Sequence, residues 1–117
     1  NHGLERTLAE LDAAPPTFRP LERGFLEGLP THLLLAGGAL VVAHAGLPEA
    51  LHGRDGRRVR DHALYGETLG TPGADGLPQR VDWGARYHGR ALVVYGHTPV
   101  PAPRWQGRTV DIDTGCV

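Results

Sequence analysis

The stretch Ala91-Leu92-Val93-Val94-Tyr95-Gly96-His97-Thr98-Pro99 constrains the fold more than any other part of this 117-residue chain. Four apolar residues and a tyrosine make a short run of the kind that forms a buried strand. Gly96 and Pro99 end it and leave His97 at the carboxyl end of that strand, in a loop where glycine permits a sharp turn. An earlier segment has the same plan: Ala39-Leu40-Val41-Val42-Ala43 is apolar, His44 follows, and Ala45-Gly46 breaks away. Two strands that each deliver a histidine at the tip predict a site at one edge of a sheet.

The remaining elements fall in order around these two strands. Leu4, Leu8 and Leu11 recur at helical spacing and predict a helix of roughly three turns that ends before Pro15-Pro16. Thr17 is placed to cap a second helix, with Phe18, Leu21, Phe25 and Leu29 on its apolar side, Pro20 in its first turn and an end near Gly28-Leu29-Pro30. The apolar runs His32 to Ala36 and Ala39 to Ala43 flank Gly37-Gly38, which predicts a hairpin with a two-residue turn. A loop follows to Gly56, then a short helix from Arg57 to Leu64. Residues 66–90 show no clear period, and a loop that long is often functional. After a proline-rich crossing at Pro99, Pro101 and Pro103, Thr109-Val110-Asp111-Ile112-Asp113 reads as a strand with Val110 and Ile112 on one face and Asp111 and Asp113 on the other. The order predicts an α+β fold, or one half of a larger layered α/β sandwich, in a single partial domain over residues 1–117.

Neutral imidazole ligates first-row divalent metals well, so His44 and His97 in matched settings are the leading metal-ligand candidates. The competing reading is two packed, hydrogen-bonded histidines. His2, His32, His52, His62 and His88 sit in predicted helices or loops and read as ordinary. Asp113, at the end of the last strand, is placed to orient a ligand histidine or a water; alternatively Asp113-Thr114-Gly115 is a turn whose carboxylate caps itself. Asp111-x-Asp113-Thr114 echoes the paired aspartates of haloacid-dehalogenase phosphatases, but those open their domain. Asn1-His2 echoes a metal-binding Asn-His pair, but Gly3 follows where an acid is normal. Cys116 has no basic neighbour to lower its pKa and reads as structural.

A net charge of −1 gives no global attraction for nucleic acid or anionic membranes. Arg54, Arg57, Arg58 and Arg60 form one local basic run that reads as a solvated face. With a single cysteine no internal disulfide forms, which fits a reducing, cytoplasmic setting. No apolar run approaches the ~20 residues of a membrane span. Walker-type and Rossmann glycine motifs are absent.

With His44-Ala45-Gly46 and Gly96-His97-Thr98-Pro99 in place, the chain resembles the carboxyl half of a calcineurin-like metallophosphoesterase domain. Ala63-Leu64-Tyr65-Gly66-Glu67-Thr68 and Ile112-Asp113-Thr114-Gly115-Cys116-Val117 narrow the resemblance to the phosphatase module of bacterial polynucleotide kinase-phosphatase. The resemblance implies a two-sheet sandwich with flanking helices and two metal ions, manganese or nickel, at the sheet edge. It implies that His44 and His97 ligate one ion, that Asp113 is needed for activity, and that phosphate is removed from RNA 2′ or 3′ ends in RNA repair.

The family's amino-terminal Asp-x-His, Gly-Asp-x-x-Asp and Gly-Asn-His-Asp motifs are not in this sequence. They supply the other ligands, so the expectation is that an amino-terminal half of the domain lies upstream, and that the 117 residues alone bind metal weakly and do not catalyse. A half-sandwich also predicts poor stability or self-association, through exposed apolar sheet surface. Two alternatives stand beside RNA-end repair: another branch of the superfamily, acting on phosphoprotein or dinucleoside polyphosphate, and a non-catalytic fold fragment or binding module.

Overall fold

The computed structural model describes residues 4–74, 76 and 78–115. They fall into two compact units, divided between Pro30 and Thr31.

In the first unit, α1 (Leu4–Ala13) and α2 (Phe18–Gly28) match the two predicted amphipathic helices. Thr17 stands at the N-cap of α2 but makes no side-chain cap hydrogen bond. Its own backbone is already helical, at φ −75° and ψ −15°, and a capping hydroxyl needs an extended residue to reach back to the first turn. The Phe18 amide bonds to the Pro15 carbonyl instead, at 2.8 Å.

The second unit is built on a five-stranded sheet. Its strands are β1 (Leu33–Leu35), β2 (Leu40–Val42), β5 (Leu92–Tyr95), β6 (Arg104–Gln106) and β7 (Thr109–Asp111), in the order β1-β2-β5-β7-β6. The central three, β2, β5 and β7, run parallel. The edge strands β1 and β6 pair antiparallel with their neighbours. Between β2 and β5 lie α3 (Arg57–Tyr65) and a separate two-stranded sheet of β3 (Thr68–Pro72) and β4 (Pro78–Arg80). Among the described residues the fold is thus α+β, with three α-helices and a mixed sheet.

The hairpin predicted around Gly37-Gly38 is present, but its turn has four residues. Leu35 pairs with Leu40, and Ala36–Ala39 closes the loop through an Ala39 amide to Ala36 carbonyl bond of 3.2 Å. Ala36 joins Gly37 and Gly38 at positive φ, which lengthens the reversal beyond a two-residue turn.

Two clusters make the core. Val41, Ala91, Val93 and Tyr95 pack with Trp83 and Tyr87 from the segment after β4. Ala43, Leu47 and Leu51 pack with Val59 and Ala63, which lie four apart on α3. The exposed face of α3 carries Arg57, 3.7 Å from Asp61, so the basic run is a solvated helix face there.

The last strand departs from its predicted pattern. It ends at Asp111, so Ile112 and Asp113 lie beyond it, and Ile112 is exposed. Thr109 and Asp111 pair with Val93 and Tyr95 and share their core-facing side, while Val110 faces the other way; all three are buried. Both faces of β7 are thus covered, so alternation does not mark which face is inside.

Candidate active site

Because β2, β5 and β7 are parallel neighbours, their carboxyl ends lie at one sheet edge. His44, His97 and Asp113, one following each strand, therefore lie along that edge, and the two histidines meet. The parallel ladder runs on past the strands to fix this: the Ala43 amide donates to the Val94 carbonyl at 3.2 Å, and the Gly96 amide to the His44 carbonyl at 2.9 Å. The Ala45 amide donates to the Ala63 carbonyl at 2.7 Å, tying the His44 turn to α3.

His44 Nε2 and His97 Nδ1 are 2.8 Å apart and share one hydrogen bond, with the rings at 64° to each other. His97 reaches this position with φ +74°. Left-handed backbone on a non-glycine residue stores of order 1–3 kcal/mol and concentrates at functional sites. Gly96, expected to supply the sharp turn, has no positive φ. It is needed for space: a Cβ there would stand 3.1 Å from the Asp113 Cβ. Gly46 is the conformational glycine, at φ +88°, and a Cβ on it would overlap the Trp83 indole laid across it.

His97 has its pKa lowered, first by burial and then by the nearby charges of Arg80 and His44, with Asp113 opposing. Burial and these charges thus favour the neutral ring over the imidazolium. His97 Nε2 is buried with no hydrogen-bond partner.

Asp113 makes no hydrogen bond to either ring. Its Oδ1 accepts the Gly115 amide at 3.0 Å, the self-capped turn. Its carbonyl accepts the Val100 amide at 2.7 Å, and its amide donates to Asp111 Oδ1 at 3.1 Å. The turn holds Asp113 against Gly96, one residue from His97. Asn1, His2 and Cys116 lie outside the described residues.

Two imidazole nitrogens 2.8 Å apart suit one metal ion. At metal–nitrogen distances of 2.0–2.1 Å, ligands at right angles lie about 2.9 Å apart. The pair fits two positions of a single divalent ion. Among the described residues no group of three or more His, Cys, Asp or Glu donors comes together around the pair.

A cleft of about 180 Å³ opens beside His97. Its wall includes Arg80 from β4, Trp83, Arg104 from β6 and Asp111. Asp111 entered the sequence reading through the Asp111-x-Asp113-Thr114 pattern; Arg80, Trp83 and Arg104 were not singled out. The β3–β4 hairpin is masked by a proline in each strand, Pro72 and Pro78. The β6–β7 hairpin did carry a signal: Gly107-Arg108 sits between Gln106 and Thr109, with Gly107 at φ +56°.

No protein-family model matches the chain. Over 120 aligned residues, 99% of this chain, it is 49% identical to the bis(5′-nucleosyl)-tetraphosphatase PrpE (asymmetrical) of Geobacillus thermodenitrificans. It is 48% identical to the proteins of the same name from Bacillus velezensis and Bacillus subtilis, again over 99% of the chain. The aligned part is 48–49% of each relative. These three names carry no reference to polynucleotide kinase-phosphatase or to RNA. The chain spans about half the length of these curated relatives, and over nearly all of its own length it is a homologue of enzymes named as bis(5′-nucleosyl)-tetraphosphatases.

Proposed function

We propose that this chain is the histidine-bearing half of a metal-dependent phosphohydrolase that cleaves the phosphoanhydride chain of a dinucleoside polyphosphate. The observation that carries this reading is the 2.8 Å approach of His44 Nε2 and His97 Nδ1 at the ends of adjacent parallel strands. Names of homologues favour the dinucleoside substrate over the RNA ends that the narrower resemblance implies.

In this reading His44 and His97 hold one of two divalent ions, manganese or nickel. Such an ion, when bound, polarises a phosphoryl oxygen and lowers the pKa of a bound water. His97 keeps its lone pair available because burial disfavours its protonated form. Asp113 acts on His97 through Gly96, fixing the loop and opposing the loss of basicity. Two neutral donors hold a hard divalent ion weakly. The remaining ligands, and the second sheet of a sandwich, come from sequence outside these 117 residues, and the 117 residues alone are inactive.

The test is product analysis with manganese on the protein at its relatives' length. Diadenosine tetraphosphate, an RNA 3′-phosphate and a phosphopeptide are the three substrates. Unequal cleavage of the tetraphosphate at the highest kcat/KM supports the proposal. Preference for the RNA end returns the reading to RNA repair, and preference for the phosphopeptide moves it to the protein-phosphatase branch. Hydrolysis of none, with metal affinity unchanged in His44→Ala and His97→Ala, leaves a binding module with packed histidines.

A further inference from the structure

The arginine run at the start of α3 borders an open groove. Arg57, Arg58, Asp61, Tyr65 and Thr68 line it. Tyr65 and Gly66 line the His97 cleft as well, so the groove continues from that cleft. Backbone bonds hold the junction: the Gly66 amide closes α3 on the His62 carbonyl at 2.8 Å, and the Ala45 amide donates to the Ala63 carbonyl at 2.7 Å. α3 buries Val59 and Ala63. Arg58, Asp61 and Tyr65 recur at helical spacing and share a different face, and all three are exposed.

Of the groove's exposed polar side chains, all but Asp61 can donate a hydrogen bond. Arg57 and Arg58 bring two positive charges, and Tyr65 and Thr68 bring hydroxyls. Asp61 lies 3.7 Å from Arg57, in a pair exposed by 57% and 94%. Such exposed pairs hold weakly, so Arg57 is free to turn to another anion. Among the described residues Arg58 makes no ion pair. The donors run on into the cleft, where Arg80 donates from Nη1 to the Tyr65 carbonyl at 3.1 Å. Tyr65 is the last residue of α3, so Arg80 lies off the helix end and Arg58 near its start. The three form a row out of the cleft along α3, and the step from Tyr65 to Arg58 spans about 10 Å of helix. A ligand that fills this row is extended, anionic and rich in acceptors. A polyphosphate chain is all three, and its oxygens match guanidinium donors. A nucleobase or a sugar carries no charge to set against the arginines.

We propose that the α3 groove holds the phosphate chain of the substrate beyond the bond that is cleaved, with Arg57 and Arg58 as its anchors, and that the groove thereby selects for chain length. The inference rests on the dinucleoside-polyphosphate reading and adds the surface that separates long chains from short ones. A short chain ends in the cleft and leaves both guanidinium groups to water. A longer chain reaches them.

The experiment uses the protein at its relatives' length, with manganese. The substrates are diadenosine triphosphate, tetraphosphate and pentaphosphate, with p-nitrophenyl phosphate as the control that has no chain. The variant is the double substitution Arg57→Gln and Arg58→Gln, whose folding circular dichroism melts confirm. In the unmodified protein kcat/KM rises with chain length, and the rise flattens as salt is added. The double variant loses about five-fold or more on the tetraphosphate and pentaphosphate, the sum of two exposed ion pairs, and stays within about two-fold on the aryl phosphate. The inference is overturned if kcat/KM does not rise with chain length, or if the folded double variant keeps the same rise. It is overturned too if the aryl phosphate loses as much as the tetraphosphate. Failure of the hydrolase reading is a separate result, seen as no manganese-dependent hydrolysis of any substrate by the unmodified protein. Metal-free calorimetry with inorganic tripolyphosphate then decides the groove: affinity lost in the double variant supports it, and equal affinity or no binding overturns it.

Discussion

His44 Nε2 and His97 Nδ1 lie 2.8 Å apart although 53 positions separate them in the chain. Their approach follows from backbone pairing: Leu40, Val41 and Val42 are in parallel register with Leu92, Val93 and Val94. The same ladder carries two further bonds past the strand ends, so the histidine tips are held by the sheet itself.

Gly96→Ala tests the contact that seats Asp113. The added Cβ stands 3.1 Å from that of Asp113, and neither backbone has room to give, because the Gly96 amide and the Asp113 carbonyl are both hydrogen-bonded. The expected loss is about 1–3 kcal/mol, the usual cost of overpacking. Urea denaturation measures it, and manganese affinity falls with it.

Gly46→Ala carries a larger penalty. The new methyl would overlap the Trp83 indole, and alanine is strained at φ +88°. Both effects destabilise, by an expected 2–5 kcal/mol or about that. Trp83 fluorescence should shift on the same substitution, since the indole must leave its place over the glycine.

Stability falls as the solution is acidified through the histidine range. His32 accepts the Gly53 amide at Nε2, 2.9 Å away, while Nδ1 lies 2.9 Å from the Thr31 hydroxyl. Burial, then the charge of His52, lowers its pKa, with Asp55 opposing. Protonation would remove the acceptor, so the neutral ring is the form that stabilises. The contribution is full above the ordinary histidine pKa of about 6.5 and is lost as pH drops through the lower folded value. His62 is shifted in the same direction, chiefly by burial. Urea midpoints at about pH 7.5 and pH 5.5 should differ, and His32→Ala should narrow the difference.

Asp113→Asn keeps an oxygen for the Gly115 amide and removes the charge that raises the His97 pKa. Folding should survive. Activity of the relatives'-length protein should fall by about 10–100-fold, the range for groups that act on a metal ligand rather than on the metal. The pH profile of kcat/KM separates this from a folding defect.

The parts legible in the sequence were those whose signal is local. The helices over Leu4–Ala13 and Phe18–Gly28 and the strand tips at His44 and His97 rest on short-range pattern and on glycine or proline punctuation. What escaped depends on distant pairing. Asp111 alternates with Val110 as if it faced outward, yet it is fully buried, on the same side of the sheet as its register partner Tyr95. Arg80 and Trp83 come from a segment with no period, and nothing local places them beside His97. The role assigned to Gly96 was misplaced for the same reason: crowding by Asp113, seventeen residues away in the sequence, is not a local property.

Manganese titration of the protein at its relatives' length, with His44→Ala, His97→Ala and the double variant, is the most direct test of the histidine pair as one metal centre. If both rings hold the same ion, each single substitution weakens that site about ten-fold or more, and the double variant is little worse than either, the non-additive pattern of groups that act as a unit. Thermal melts of the metal-free forms stay close together. Unchanged manganese affinity in the single variants, with lowered metal-free melting temperatures, would show two packed histidines and contradict a metal centre at this sheet edge.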